Sequence, residues 1–97
     1  MESQTMRIQT TRYTVTHLYE LQADGKFFVV QWERLATGDR NDIRHKISVF
    51  NVINPGAVNE SLQFIEGSIT FLHQWQPTEK RSKKHLKLIL SELQPTA

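Results

Sequence analysis

Residues 13–36 have the sequence YTVTHLYELQADGKFFVVQWERLA, and this stretch decides the predicted fold. Residues 13–21 alternate apolar or aromatic side chains with threonine and glutamate, which is typical of a half-buried strand. The pair Asp24-Gly25 favours a tight hairpin turn. Residues 26–36 are apolar on both faces at their centre, as expected of a strand in mid-sheet or between two packed layers. The stretch therefore predicts a β-hairpin within a mostly β domain.

Further strands are predicted downstream of this hairpin. A polar loop at 37–42 leads into a third strand at 44–53, and a fourth strand is expected at 68–76. Pro77 ends the fourth strand. In residues 85–93, leucines alternate with polar side chains, which predicts a fifth strand.

A short helix is predicted between the third and fourth strands. Asn54 offers an N-cap side chain, and Pro55 suits the first helical position. Gly67 is placed to end the segment. Between them, apolar residues recur at helical spacing: Val58, Leu62 and Ile65.

The element order β-β-β-α-β-β is the plan of the OB-fold, a partly open five-stranded barrel. We therefore expect an OB-fold with one short helix between strands three and four. A chain of 97 residues suits one domain, and residues 13–94 are assigned to it. Residues 1–12 are expected to be a flexible N-terminal segment, and 95–97 a tail. Because a chain of this length can bury only a modest core, dimerisation would add to its stability.

The charged residues are unevenly distributed. The net charge is only +2, from 12 basic and 10 acidic residues. Five of the basic residues crowd into positions 80–87 with no acid among them: Lys80, Arg81, Lys83, Lys84 and Lys87. A concentrated patch can steer an anionic ligand, although a charge run is also typical of a solvated hairpin tip. Residues 78–85 are expected to be the loop joining the last two strands, where OB-folds bind oligonucleotides, and this position favours phosphate binding.

Four stretches resemble bacterial single-strand DNA-binding proteins: DGKFFVV at 24–30, ISVF at 47–50, FIEGSITF at 64–71 and KHLKLIL at 84–90. The length and the basic loop also resemble primosomal replication proteins of the PriB type, reduced dimeric relatives that bind single strands and help to restart replication. The resemblance covers residues 13–93. The sequence departs from the family at two positions. Tryptophan is common at the start of strand three, where this chain has Arg44 or His45. Glycine is expected after strand four, where this chain has Gln74 or Trp75. The resemblance implies the OB-fold and single strands as the ligand.

Sequence-tolerant binding of single strands combines a basic groove with rings on which bases stack. Phe50 shares its predicted strand face with Arg44 and Lys46, so we expect it to be exposed and to stack a base. Trp32 and Trp75 each fit a stacking role or a core or interface role equally well. The expected nucleic-acid-binding residues are Trp32, Arg34, Arg44, Lys46, Phe50, Trp75, Lys80, Arg81, Lys83, Lys84 and Lys87.

The residue pattern does not favour an enzyme. The histidines match no zinc spacing, and each lies in a predicted strand; they are His17, His45, His73 and His85. Cysteine is absent, which excludes a thiol nucleophile, a thiolate zinc site and disulfides. We expect no catalysis, metal or cofactor. With no apolar run near the ~20 residues of a membrane helix, no leader and no disulfides, we expect the cytoplasm.

The predicted function is the binding of single-stranded DNA, with RNA less favoured, in replication, replication restart or recombination. A homodimer or higher homo-oligomer is expected, with replication proteins as possible further partners. The alternative is a protein-interaction module, a small β-barrel whose basic loop docks an acidic partner. A weaker alternative is a small-ligand-binding β-barrel or an enzyme-accessory domain, which would need an enclosed apolar pocket.

Overall fold

The computed structural model describes residues 3–23, 25–36, 43–53, 58, 62–65, 67 and 69–93. They form five strands followed by one helix: β1 (Ser3–Thr10), β2 (Thr14–Ala23), β3 (Lys26–Ala36), β4 (Ile43–Val52), β5 (Ile69–Trp75) and α1 (Glu79–Leu93). Within these residues, α1 is not long and apolar enough to cross a membrane.

The five strands form one antiparallel sheet in sequential order. The β2–β3 register runs from Thr14 opposite Leu35 to Ala23 opposite Lys26. Only two residues therefore connect these strands, and the second, Gly25, has φ +74°, a backbone conformation that glycine adopts without a steric cost. Within the described strands, β1 pairs only with β2 and β5 only with β4, so the sheet is not closed into a barrel.

The main core lies between one face of the sheet and α1, which packs across β3 and β4. Leu86 and Ile89 of α1 are buried there. On the sheet side, the buried members of this core are Leu21, Val30, Ile47 and Val49. Leu18 and Val29 point to the opposite face, because side chains alternate along a strand. Both are almost fully buried, so the sheet is apolar on both faces at its centre.

The sequence of α1 explains why it is helical. Ser82, Leu86 and Ile89 are its buried residues, and their spacing of four and three places them on one helix face. The first turn is closed by the amide of Arg81, which donates to the carbonyl of Thr78 at 3.1 Å. Glu79 is an acid in this first turn, where a negative charge is favourable to the helix dipole.

The prediction of a mostly β fold is confirmed, and the predicted strands at 13–21, 26–36, 44–53 and 68–76 correspond to β2, β3, β4 and β5. The predicted fifth strand at 85–93 is wrong, because these residues belong to α1. The sequence LKLIL at 86–90 satisfies both the period of a strand and that of a helix, and the burial of Leu86 and Ile89 decides for the helix. The basic run at 78–85 is therefore mostly helical and not a loop.

The expectation of a flexible segment at 1–12 is also wrong for most of its length, because residues 3–10 form β1 and pair with β2 along its length. The predicted helix between strands three and four is not shown. Asn54 and Pro55 lie outside the described residues, whereas Val58 and Phe64 form an antiparallel bridge. With an open sheet and the helix at the C-terminal end, the described residues do not confirm an OB-fold.

Candidate nucleic-acid interface

The solvent side of α1 is strongly basic. All five cations of the run are exposed on a helix of 15 residues: Lys80, Arg81, Lys83, Lys84 and Lys87. A helix rises 1.5 Å per residue, so the charges at 80–87 extend over about 10 Å. That length is comparable to roughly three nucleotides of a stacked strand at 3.4 Å each. We call these five residues the basic face of α1.

Arg34 and Glu79 tie the start of this helix to the sheet. Nη2 of Arg34, on β3, donates to Oε1 of Glu79 at 3.2 Å. Glu79 directly precedes the basic face in sequence, and because it is paired with Arg34 it offsets the positive charge of that face less. Arg34 is one of the predicted nucleic-acid-binding residues, and the structure pairs it with the helix that carries the cluster of cations.

Trp75 lies at the edge of α1 within a group of rings, here called the Trp75 cluster. Its ring centroid is 4.1 Å from that of His73 and 5.5 Å from that of His85 in α1. Trp75 and His85 are partly exposed and His73 is exposed. Arg81 precedes His85 by one helical turn, so both lie on the same side of α1. The cluster therefore places partly accessible aromatic surface beside the basic face.

Trp32 has a different environment from Trp75. It is flanked by His17 on β2, with ring centroids 4.8 Å apart, and by His45 on β4, at 6.1 Å. Like Trp75, it also packs against the core between the sheet and α1. The indole Nε1 is buried and has no hydrogen-bond partner among the described residues. With histidines on both sides, Trp32 is poorly placed to stack a nucleobase.

Burial sets the protonation of the two histidines beside Trp32. It lowers the pKa of His17. It also lowers the pKa of His45, where the positive charge of Arg34 acts in the same direction and Glu79 opposes it. Both imidazoles therefore favour the neutral form in the folded protein.

The remaining predicted site residues lie on the other side of the sheet. Ile47 and Val49 of β4 face α1, so Arg44, Lys46 and Phe50 point away from it. Lys46 Nζ lies 3.1 Å from Glu33 Oε2. These three residues do share a face, as expected from the sequence, but they are separated from the basic face of α1 by the sheet.

Phe50 is packed and only partly exposed. Its ring centroid is 4.6 Å from that of Phe64 and 5.7 Å from that of Phe71. The first of these pairs is tilted and the second is edge-on, and both geometries are favourable between aromatic rings. Phe50 therefore lies within an aromatic group that stabilises the far side of the sheet.

The sequence-based prediction missed the two histidines of the Trp75 cluster, His73 and His85. A signal for His85 was present, since helical spacing from Ser82 through Leu86 and Ile89 to Leu93 places residue 85 beside the buried stripe. No group of three or more histidine, aspartate or glutamate side chains that could hold a metal ion occurs among the described residues.

No family model, curated protein or solved structure matches the chain. The resemblance to single-strand DNA-binding proteins stays a prediction.

Proposed function

We propose that the protein binds single-stranded nucleic acid with little sequence preference, using the basic face of α1 to hold phosphates. The single observation that carries this proposal is the exposure of five cations on one packed helix. A helix holds these charges at fixed spacings, whereas a hairpin tip would not. Each phosphate contact releases counterions, so the affinity should fall as the salt concentration rises.

The Trp75 cluster favours single strands over duplexes. Unpaired bases expose their ring faces, and stacking on an aromatic side chain contributes about 1–3 kcal/mol per base. Trp75 is the tryptophan that lies beside His85 of α1, so a strand held by the basic face can bring a base to it. A duplex offers phosphates to the same helix but no free ring face.

The experiment is a titration of a labelled pyrimidine oligonucleotide followed by fluorescence anisotropy, with a duplex of equal length as competitor. The test variant replaces Lys80, Arg81, Lys83 and Lys84 by alanine, which has high helix propensity and should preserve α1. The matched control removes four exposed cations elsewhere: Arg12, Lys26, Arg44 and Lys46. Both variants have the same net charge, so a loss confined to the first assigns binding to α1.

Docking of an acidic protein would use the same cations, and the basic face alone does not distinguish it. The emission of Trp75 does, because a stacked base should quench it. A Trp32→Phe protein reports on Trp75 alone. Quenching by a pyrimidine strand, but not by a polyglutamate peptide of equal charge, supports nucleic acid. Binding of the labelled peptide, followed by anisotropy, with no quenching by the strand supports an acidic protein partner.

A further inference from the structure

The row of rings formed by His17, Trp32 and His45 has no part in the proposed contacts with nucleic acid, and it lies where α1 meets the sheet. Each ring comes from a different strand, β2, β3 and β4. Trp32 packs against the core that includes Leu86 and Ile89 of α1. We call these three rings the His-Trp-His stack.

His45 is the most confined member of the stack. It is 4% exposed, and neither of its ring nitrogens has a hydrogen-bond partner among the described residues. Nδ1 of His17 is likewise buried without a partner in the described part of the chain. A neutral imidazole in such a place already leaves polar atoms unsatisfied. Protonation of the buried imidazole adds a positive charge and a second hydrogen-bond donor. Burying both costs further free energy unless water can enter.

The charged and titratable groups around His45 come from three elements. Arg34 lies opposite it on β3, and Glu79 lies on α1 close enough to act on its charge. His17 lies beyond Trp32 on β2. The only carboxylate of the three is already paired with Arg34. A second positive charge on His45 would therefore compete with Arg34 for Glu79, the residue that ties the first turn of α1 to β3.

We propose that the His-Trp-His stack makes the docking of α1 sensitive to pH, such that protonation of His45 and His17 releases the helix from the sheet in mildly acidic solution. Lifting α1 admits water to His45 and relieves the competition for Glu79. If the proposed function holds, this release also removes the fixed spacing of the basic face. Affinity for nucleic acid depends on every charge near that face, so it does not measure the release of the helix alone.

The experiment therefore uses the free protein. Amide hydrogen exchange is followed by NMR from about pH 7.5 to 5, with each rate corrected for its intrinsic dependence on pH. We expect protection of the Leu86 and Ile89 amides to fall below the ordinary histidine pKa of 6.5 by up to about tenfold per pH unit for each histidine. The central strand amides of Val29 and Val30 should be more strongly protected than those of α1 at each pH, because the sheet stays paired when the helix is released.

Two variants and a control identify the titrating groups. His45→Phe and His17→Phe preserve a ring in the stack and remove the proton, so protection of α1 should become less dependent on pH. His73→Gln removes an exposed histidine outside the stack, and a pH dependence that is lost in this variant but kept in His45→Phe and His17→Phe would overturn the proposal. Should His45→Phe fail to fold, His45→Gln serves the same purpose. The dependence of α1 protection on pH in the wild-type protein tests the proposal in either case.

Protection of α1 that does not change between pH 7.5 and 5 would overturn the proposal. So would equal protection of α1 and of the central strands at every pH in this range, since both would then exchange only through unfolding of the whole protein. Neither result bears on whether the protein binds oligonucleotides at neutral pH, so failure of this inference can be told from failure of the proposed function.

Discussion

Arg34 of β3 donates from Nη2 to Oε1 of Glu79 across 3.2 Å, and this ion pair joins the central strand of the sheet to the first turn of α1. Through this pair, α1 is attached to the sheet by an ion pair as well as by its apolar face. Both side chains are substantially exposed, so the contribution of the pair to stability is small.

Replacing Glu79 by glutamine should lower the free energy of unfolding by less than about 1 kcal/mol, the range for an exposed ion pair and an acid at a helix N-terminus. Urea unfolding followed by circular dichroism measures this. Glu92→Gln is the matched control, because it removes the same charge near the other end of α1, where an acid is unfavourable. If Glu92→Gln destabilised the protein as much as Glu79→Gln, the pair with Arg34 would have no specific role.

Leu86 and Leu88 should respond very differently to truncation. Leu86 is 5% exposed and Leu88 is 59% exposed. Leu86→Ala should cost about 2–5 kcal/mol of unfolding free energy, the range for deleting a buried leucine, whereas Leu88→Ala should change it by no more than about 0.5 kcal/mol. A strand at 85–93 would place both leucines on one face, so similar costs in urea unfolding would contradict the helix.

Phe50→Ala should destabilise the protein without weakening nucleic-acid binding. Because Phe50 is packed with Phe64 and Phe71 but is only partly buried, we expect a cost of about 1–3 kcal/mol, below the full cost of a buried phenylalanine. Its position on the far side of the sheet keeps it away from α1. A clear loss of affinity in a variant that remains folded at the assay temperature would show that a base stacks there.

Stability should depend on pH through His17 and His45. Burial lowers the pKa of each in the folded state, so the unfolded chain binds more protons below the ordinary value of 6.5. The free energy of unfolding should therefore fall as the pH drops below about 6.5, by up to about 1.4 kcal/mol per pH unit for each histidine. Urea unfolding at a series of pH values tests this, and the slope should be smaller in His45→Phe. A slope that is the same in both proteins would assign the effect to other groups.

The strands β2 to β5 could be predicted because their sequences alternate and because Asp24-Gly25 marks the first hairpin. β1 could not, since Met6 and Ile8 are its only large apolar residues and both are exposed; pairing with β2 makes this segment a strand. α1 was missed because apolar residues at 86, 88, 89 and 90 fit both periods, and only packing against β3 and β4 distinguishes them.

The candidate site was predictable in part for similar reasons. The clustering of cations at 80–87 follows from the sequence alone, as does the shared face of Arg44, Lys46 and Phe50. Which side of the sheet faces the basic run depends on how the chain returns after β5. No local pattern encodes that choice. The contact of Trp75 with His85 likewise depends on where α1 crosses the sheet.

The most direct test of the central claim is the salt dependence of oligonucleotide binding in the wild-type protein and in the two charge-matched variants. Anisotropy titrations between about 50 and 200 mM salt give the slope of log affinity against log salt concentration, which measures the number of phosphates neutralised. We predict weaker binding and a shallower slope when Lys80, Arg81, Lys83 and Lys84 are alanine, and a nearly wild-type slope when Arg12, Lys26, Arg44 and Lys46 are alanine. Equal losses in the two variants, or no binding by the wild-type protein at low salt, would contradict the claim that the basic face of α1 binds nucleic acid.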